Sequence, residues 1–358
     1  MFVCLSAGKS ARYREDIIRA LAMPRSSRLQ FRYDQNLVAP IIRGHLSSGV
    51  PQGQKVLIAY IDQEDKSKVP EIVPCRFATL YEVVPHGSTV SLELILGECA
   101  YAEDLGRFDR EISAESGNTL PRYQPDGSIK GAYWLELSKD LTTVSSTTSL
   151  ADWERIVSQL ASHPQFEDEK CFYTVTTLQK VGEEGGQQKV GEEGGVKVKG
   201  RMYALASDTE YDIRIYHFHP NKTPSKVRLT LTVTPTLATV VAGGSLIVDS
   251  RYDLKRTRLI TARLSTAQRG SIIITRVDES TGGASTLDFD LWIEVAGTFW
   301  STALKGVLAG ILLAAPQIIA ALQNPTILAP NRTTIIIAAG VFGLLAGVFA
   351  AFALKKPV

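Results

Sequence analysis

The sequence predicts a fold in three parts: an α+β N-terminal domain, a mainly-β second domain that forms an immunoglobulin-like antiparallel sandwich, and a C-terminal two-helix transmembrane hairpin. Three observations support this prediction. Helix-like and strand-like patterns are mixed over residues 1–100, a series of short strand-like segments fills residues 167–297, and two long apolar runs lie within residues 298–358. A chain of 358 residues is long enough for two or three domains.

The first 100 residues are expected to form a small α+β domain or a partial β-barrel. A short helix is predicted over residues 10–23, because its apolar residues fall on one face and Pro24 follows. Strand-like segments come next, at residues 28–33, 56–61, 77–84 and 89–96. The last segment alternates between apolar and polar residues with the period of a half-buried strand, so the last two segments predict a β-hairpin.

Residues 101–166 are predicted to be an irregular connector that contains one amphipathic helix, over residues 150–162. Ser149 has the type of side chain that caps helix N-termini, and an acidic residue follows three positions later. The helix carries one apolar stripe: Trp153, Ile156, Val157 and Leu160. We expect this stripe to pack against a hydrophobic core.

The region 167–297 is predicted to be the β-sandwich, because short strand-like segments follow one another with turn residues between them. The strand candidates are residues 172–178, 196–204, 211–218, 227–233, 245–248, 259–264, 272–277 and 287–295. Two of them, 227–233 and 287–295, alternate between apolar and polar residues along their whole length.

A nine-residue segment is repeated in tandem inside the predicted sandwich: Gln-Lys-Val-Gly-Glu-Glu-Gly-Gly-Gln is followed by Gln-Lys-Val-Gly-Glu-Glu-Gly-Gly-Val. Both copies are polar and rich in glycine, which predicts a mobile loop over residues 179–196. A duplication tolerated in an exposed loop and a dedicated binding loop are both compatible with this pattern.

The composition of the chain limits the classes of function that the sequence supports. The formal net charge of +2 is too small to indicate a dedicated nucleic-acid binder. The four cysteines lie far apart and show no metal-site or disulfide spacing: Cys4, Cys75, Cys99 and Cys171. We therefore expect reduced, mostly buried thiols, as in a cytoplasmic region.

The two apolar runs predict transmembrane helices at about residues 303–322 and 334–354. The second has no charged residue over 21 positions, and as a helix it would extend roughly 31 Å, enough to cross a bilayer core. Lys305, Lys355 and Lys356 flank the runs on the side away from their connecting loop, so both termini are expected in the cytoplasm. The predicted localisation is an integral membrane protein, of the bacterial inner membrane in a prokaryote or of the endoplasmic reticulum in a eukaryote.

Small residues in both runs indicate close helix packing. Gly306 and Gly310 form one GxxxG motif, and Gly343 and Gly347 form a second. Such motifs drive association of helices in lipid, within one chain or between copies. Gln317 is strongly polar within the first run, and it would bond either to the neighbouring helix or to another subunit. The motifs favour a homo-oligomer.

Two groups of basic residues are candidate contact surfaces. An N-terminal group matches the bidentate geometry of phosphate and predicts a phosphate-bearing ligand or partner protein: Arg12, Arg14, Arg19, Arg28 and Arg32. A second group precedes the apolar runs and predicts docking on the anionic surface of a lipid bilayer: Arg251, Lys255, Arg256, Arg258 and Arg263. Ordinary solvated surfaces explain both groups as well.

Signals for catalysis are weak. His217 and His219 lie two positions apart on a predicted strand and share one face, which makes them weak candidates for a metal site. The segment around Gly8 and Lys9 resembles the end of a phosphate-binding loop, but Val3 replaces the first glycine of that motif. We assign no catalytic residue, no metal and no cofactor, and an enzyme is the less expected class.

The layout of a recognition region followed by a small membrane hairpin resembles the sensor and effector layout of some prokaryotic immune proteins. That resemblance implies a protein for antiviral defence whose soluble domains bind a ligand or partner and whose hairpin oligomerises to perturb or gate the membrane. Two alternatives remain: a tethered scaffold or assembly protein whose hairpin is a passive anchor, and a tethered enzyme. Fold analogy alone does not choose among these functions.

Overall fold

The structure, a computed structural model, describes most of the chain and is mostly β. The described residues are 1–7, 11–46, 49–63, 70–117, 119–124, 129–167, 169, 171–182, 192–193, 196–199, 202–220, 226–278, 287–298, 319 and 337. Among them are four α-helices: α1 (Ala11–Ala22), α2 (Pro40–His45), α3 (Leu105–Glu115) and α4 (Leu150–Ala161).

The N-terminal part is built on a mixed seven-stranded sheet. The strands of this part are β1 (Phe2–Ala7), β2 (Arg28–Asp34), β3 (Lys55–Asp62), β4 (Glu71–His86), β5 (Thr89–Tyr101), β6 (Arg122–Tyr123), β7 (Ile129–Lys130), β8 (Trp134–Glu136) and β9 (Ser145–Thr147). The sheet order is β2-β5-β4-β3-β1-β8, with β9 beside β5, while β6 and β7 form a separate pair. β1 is parallel to β3, whereas β4 and β5 form the long antiparallel hairpin.

The two edges of this sheet are joined by the segment after β2. Tyr133 N donates to Leu37 O at 2.7 Å, and Ala39 N donates to Trp134 O at 2.8 Å. The segment thereby links the β2 side of the sheet to the β8 side, so the sheet partly closes on itself. This closure brings Tyr33 of β2 close to β1, since the Tyr33 hydroxyl donates to Leu5 O at 3.0 Å.

Helices α1 and α4 cover the sheet through their apolar faces. In α1 the buried side chains include Ile17, Ile18 and Leu21. α4 begins after Ser149, whose hydroxyl accepts from Asp152 N at 3.4 Å. The indole nitrogen of Trp153 donates to Leu21 O at 3.2 Å and connects the two helices.

The second part forms two sheets, and the sandwich expected here fits the structure. Its strands are β10 (Phe172–Lys180), β11 (Glu192–Glu193), β12 (Val196–Lys199), β13 (Met202–Leu205), β14 (Glu210–Phe218), β15 (Val227–Thr234), β16 (Ala238–Val240), β17 (Ser245–Val248), β18 (Tyr252–Thr261), β19 (Gln268–Asp278) and β20 (Leu287–Val295). One sheet has the order β10-β14-β18-β16, and the other β11-β12-β13-β20-β19-β15-β17. Alternation explains the core, since Val227, Leu229 and Leu231 of β15 are buried.

Contacts divide the chain into two compact units. The first comprises Met1–Ala204, Glu210–Ile260 and Gly270–Ile293, and so contains the whole N-terminal sheet and most of the sandwich strands. The second comprises Leu205–Thr209, Thr261–Arg269 and Glu294–Val358. Within the second unit, the Thr261 hydroxyl donates to Ala206 O at 2.7 Å.

The predicted C-terminal transmembrane hairpin and the fold class that includes it are wrong. None of the described helices is long and apolar enough to cross a membrane. The longest have 12 residues, whereas a span needs about 20. Apart from residues 319 and 337, the predicted spans 303–322 and 334–354 lie outside the described residues.

The localisation that followed from the hairpin is corrected with it. An integral membrane protein with both termini cytoplasmic, in the bacterial inner membrane or the endoplasmic reticulum, loses its basis because no described helix can span. The residues assigned to helix packing also lie outside the described residues: Gly306, Gly310, Gln317, Gly343 and Gly347. The same holds for 183–191 and 194–195 of the predicted repeat loop.

Candidate functional site: a cleft around a buried arginine

Arg76 is a charged residue in an otherwise apolar stretch of β4. Two irregularities surround it, because the pairing of β3 with β4 shifts between Ile58 and Ala59, and the pairing of β4 with β5 shifts between Arg76 and Ala78. Such bulges redirect side chains, and they are common beside functional sites. The Arg76 side chain reaches the end of α1, where its Nη1 atom donates to Ala20 O at 2.8 Å and to Met23 O at 2.5 Å.

The charge of Arg76 has no carboxylate partner in the described part of the chain. The residue is only 5% exposed. Its hydrogen bonds go to three backbone carbonyls, since Nε also donates to Gly97 O at 2.9 Å. Buried charges are normally paired, because carbonyl dipoles alone do not neutralise a full charge. The guanidinium therefore leaves a local excess of positive charge.

This side chain lines a cavity of about 330 Å³, which we call the arginine cleft. Its walls come from the end of α1, from β4 and β5, from the start of α4 and from β10. The charged and polar lining residues are Arg25, Arg76, Glu98, Cys99, Thr147, Thr148, Ser149, Thr174 and Thr176. The apolar lining includes Met23, Leu150, Trp153 and Val175. An apolar wall with a few converging polar groups is typical of ligand sites.

Two hydroxyls of the cleft are available to a ligand. Thr147 donates to Asp152 at 2.8 Å, and Thr176 donates to Arg214 O at 3.2 Å, so these two are engaged. Across the described residues, the hydroxyls of Thr148 and Thr174 make no hydrogen bond. Hydroxyls can donate to an anion or accept from a neutral group.

The cleft has a second, exposed cation at its rim. Arg25 forms an ion pair with Glu98 at 3.2 Å, with side chains 50% and 31% exposed. The same pair borders a neighbouring cavity of about 260 Å³, which Lys55, Phe77, Val144 and Ser146 also line. Counting these lining side chains, three cations face one carboxylate, so the local field favours an anion.

The ends of two helices contribute to the same field. α4 points its N-terminal turn, with Ser149 and Leu150, into the cleft wall. The partial positive charge of that terminus favours an anion in the cleft. At the C-terminal end of α1, the carbonyl of Ala20 and that of Met23 just beyond the helix are already bonded to Arg76.

Cys99 lies in the wall beside Arg76. Burial raises the pKa of its thiol, and the nearby Arg76 guanidinium offsets part of that shift. Cys4, Cys75 and Cys171 are buried, whereas Cys99 is partly accessible. A thiol with a raised pKa is a poor nucleophile at neutral pH.

The N-terminal arginines predicted to hold phosphate do not converge on one place. Arg14 lies 3.6 Å from Glu169, Arg19 lies 3.1 Å from Glu15, and Arg28 lies 3.4 Å from Glu93. Arg12 and Arg32 are exposed, and Arg32 donates to the Thr89 hydroxyl at 3.1 Å. The carboxylates beside three of the five reduce their value as anion ligands.

The second basic group is also largely paired. Lys255 lies 2.9 Å from Asp253, Arg258 lies 2.9 Å from Glu210, and Arg256 forms a two-point contact with the buried Asp212. Arg251 is exposed in the first unit, and Arg263 is exposed in the second. Each of these three basic residues of β18 is thus paired with a carboxylate, which reduces the positive charge that this surface presents.

His217 lies on β14 and His219 just after its end; both are buried, with ring centroids 5.8 Å apart. His217 Nε2 lies 3.2 Å from both oxygens of Ser250, and burial lowers the pKa of His217 to about 4. Among the described residues, no group of three His, Cys, Asp or Glu side chains could hold a metal ion. His217 is therefore a neutral part of the sandwich core near pH 7.

Sequence reasoning missed Arg76, which is the central residue of the cleft. One signal was present, because a single arginine interrupts the apolar segment Ile-Val-Pro-Cys-Arg-Phe. Its partners Ala20 and Met23 are more than fifty positions away, at separations of 56 and 53 residues. No local pattern contains that information.

Comparisons with known proteins give no family. No protein-family model matches the chain, and no curated protein matches it. Among solved structures, the chain is similar to the CsuC–CsuE chaperone–tip adhesion subunit pre-assembly complex from the archaic chaperone-usher Csu pili of Acinetobacter baumannii. The similarity covers 26% of this chain and 48% of that chain, at 7% sequence identity and a TM-score of 0.20. The chain spans about half the length of that structure, and so weak a likeness supports no conclusion.

Proposed function

We propose that this protein is a binding protein that recognises a small ligand through its phosphate group, in the arginine cleft. The observation that supports this most is the buried guanidinium of Arg76, which opens into a cavity without a carboxylate partner among the described residues. A bound phosphate would supply the missing negative charge. Arg matches phosphate oxygens geometrically and remains charged at all physiological pH values.

The remaining parts of the cleft favour phosphate over a single carboxylate. Arg25 adds charge at the rim, Lys55 adds charge in the neighbouring cavity, and the hydroxyls of Thr148 and Thr174 add neutral donors. A phosphate group has enough acceptor oxygens for several such donors. The Trp153 ring and the aliphatic wall would contact the body of the ligand. Recognition of a ligand by the N-terminal part also agrees with the sensor class expected from the sequence.

The test is thermal unfolding of the full chain in increasing inorganic phosphate, with sodium chloride at equal ionic strength as the reference. Ligand at one hundred times its Kd stabilises a native protein by about 2.7 kcal/mol. We expect the Tm of the wild type to rise several degrees beyond the chloride reference. Arg76→Met should keep only the general salt effect. Arg32→Met, which removes an exposed arginine outside the cleft, is the matched control and should respond like the wild type.

A second measurement uses the wild type, and so gives a result even if Arg76→Met does not fold. At alkaline pH, which ionises more of the Cys99 thiol, phosphate should slow maleimide labelling of Cys99 in the wild type, because Cys99 lines the cleft. Cys99→Ser identifies the labelled thiol. Equal Tm responses of the wild type and Arg76→Met, or labelling that phosphate does not affect, would contradict the proposal.

A further inference from the structure

A second cavity lies at the carboxyl end of β1, where the partly closed sheet brings β1 and β2 together. Its volume is about 250 Å³, and we call it the tyrosine cavity after Tyr13, Tyr33 and Tyr133. The other lining residues are Leu5, Ser6, Ala7, Leu37 and Ile129. β1 runs parallel to β3 in this sheet, so the carboxyl ends of these two strands lie side by side.

Among the residues that the structure describes, those lining this cavity include no charged side chain and offer few available polar atoms. The Ser6 hydroxyl donates to Tyr13 O at 2.7 Å, and the Tyr33 hydroxyl donates to Leu5 O at 3.0 Å. The Tyr133 hydroxyl donates to Gln63 Oε1 at 2.5 Å. Each of these hydrogens is therefore engaged within the protein. An occupant gains apolar and ring contacts but no donor from these three groups.

Charged occupants are disfavoured by the same walls. Burial raises the pKa of Tyr33 well above its usual value and that of Tyr133 to about 12, so both phenols stay neutral. A charged group would lose its water without gaining a partner. The arginine cleft has the opposite character, so the two cavities select different chemistry.

The size of the cavity limits the occupant to one or two rings. An engineered apolar cavity of about 150 Å³ binds benzene in another protein, and the tyrosine cavity is larger than that. Aromatic rings stack or pack edge to face with tyrosine rings and gain more than the same apolar area alone. An unfilled cavity forfeits the dispersion contacts of its walls.

We propose that the tyrosine cavity is a second ligand site, which binds an uncharged aromatic ring system of one or two rings. The site is independent of the phosphate proposal, because none of its lining residues belongs to the arginine cleft. Tyr13 of α1, Tyr33 of β2 and Tyr133 next to β8 provide the ring contacts.

The test uses indole as the probe and the full chain. Titration calorimetry should show saturable binding of indole to the wild type. Leu37→Trp fills the cavity and should weaken binding at least tenfold. Leu254→Trp places the same new side chain on the exposed face of β18 and should bind indole like the wild type. Indole-3-acetate, which adds a carboxylate, should bind at least tenfold more weakly than indole.

A measurement on the wild type covers the case in which Leu37→Trp fails to fold. Nuclear Overhauser contacts should connect indole protons with ring protons of tyrosine residues, and Tyr13→Ala should reduce them. Inorganic phosphate should not compete with indole. The proposal is overturned by absence of saturable indole binding, by equal affinity of the charged analogue, or by contacts that persist unchanged in the variants. Competition by phosphate would place indole in the arginine cleft and would also overturn it.

Discussion

Arg76 and Arg276 are buried almost equally, and the protein balances their charges in different ways. Arg76 is 5% exposed and Arg276 is 6% exposed. Arg276 donates to Glu169 Oε2 at 2.5 Å and to Cys171 O at 2.7 Å, and Glu169 also lies 3.6 Å from Arg14. Arg76 has only carbonyl partners in the described residues. The charge of Arg276 is thus balanced by Glu169 of the same chain, whereas the guanidinium of Arg76 lines a cavity.

This difference separates a structural charge from one that can serve recognition. A buried ion pair loses much when one partner is removed, because the other charge stays buried alone. A buried charge without a partner gains when an external anion enters, since the desolvation cost has already been met in folding. Arg276 therefore connects β19 to the segment before β10, whereas Arg76 remains open to a ligand.

Removal of the Arg276 side chain should lower the free energy of unfolding more than any other substitution proposed below. Arg276→Met leaves Glu169 with only the more distant Arg14, so we expect a loss of about 3–5 kcal/mol in the free energy of unfolding. Urea denaturation followed by circular dichroism measures it. Arg14→Met is the matched control and should cost less, because Arg14 is 27% exposed and 3.6 Å from the carboxylate. A loss below about 1 kcal/mol for Arg276→Met would show that the pair is not structural.

His217 is a buried titratable side chain that stays neutral near pH 7, unlike the two buried arginines. Its pKa of about 4 in the folded chain lies below the usual 6.5, so the unfolded chain binds more protons between those values. Its contribution to stability is complete above pH 6.5 and is lost as the pH falls toward 4. From pH 8 to pH 4 we expect the wild type to lose about 3 kcal/mol relative to His217→Gln.

Paired measurements at each pH isolate this effect. Burial raises the pKa of both Asp16 and Asp109 to about 6. These two carboxyl groups therefore make the folded state more stable as the pH falls below 6, which is opposite to the effect of His217. Both carboxyl groups remain in the variant, so their contributions cancel in the difference between the two proteins. Parallel pH profiles of the wild type and His217→Gln would contradict the depressed pKa.

Much of the fold was predictable where a local pattern has one physical cause. The alternation of residues 227–233 corresponds to β15, and the Ser149 cap and apolar stripe correspond to α4. The rest depends on contacts between distant positions. The closure of the sheet requires residue 37 to meet residue 133, and the arginine cleft requires Arg76 to reach Ala20. The transmembrane hairpin predicted from hydropathy is wrong, since none of the described helices is long and apolar enough to cross a membrane.

Removal of Arg76 should have an intermediate effect on stability. Arg76→Met removes a buried charge, which stabilises, but leaves three carbonyls without their donor, which destabilises. We expect a net loss of about 1–2 kcal/mol, smaller than for Arg276→Met. Urea denaturation with and without phosphate sharpens the comparison, since Arg276→Met should keep its response to phosphate. The opposite order of the two losses would show that Arg76 is the structural residue.

Neutralising either member of the Arg25–Glu98 pair should have the smallest effect on stability. The two substitutions should change the affinity for phosphate in opposite directions. Arg25 and Glu98 are half and one-third exposed, so Arg25→Met and Glu98→Gln should each shift the free energy of unfolding by less than about 0.5 kcal/mol. Phosphate affinity should fall severalfold in Arg25→Met and rise in Glu98→Gln, because the two changes alter the local charge with opposite signs. Both effects should shrink at high salt, since exposed charges are screened while Arg76 is not. Equal phosphate affinities in the two variants would mean that the ligand does not reach this rim, and that Arg76 alone provides the charge it senses.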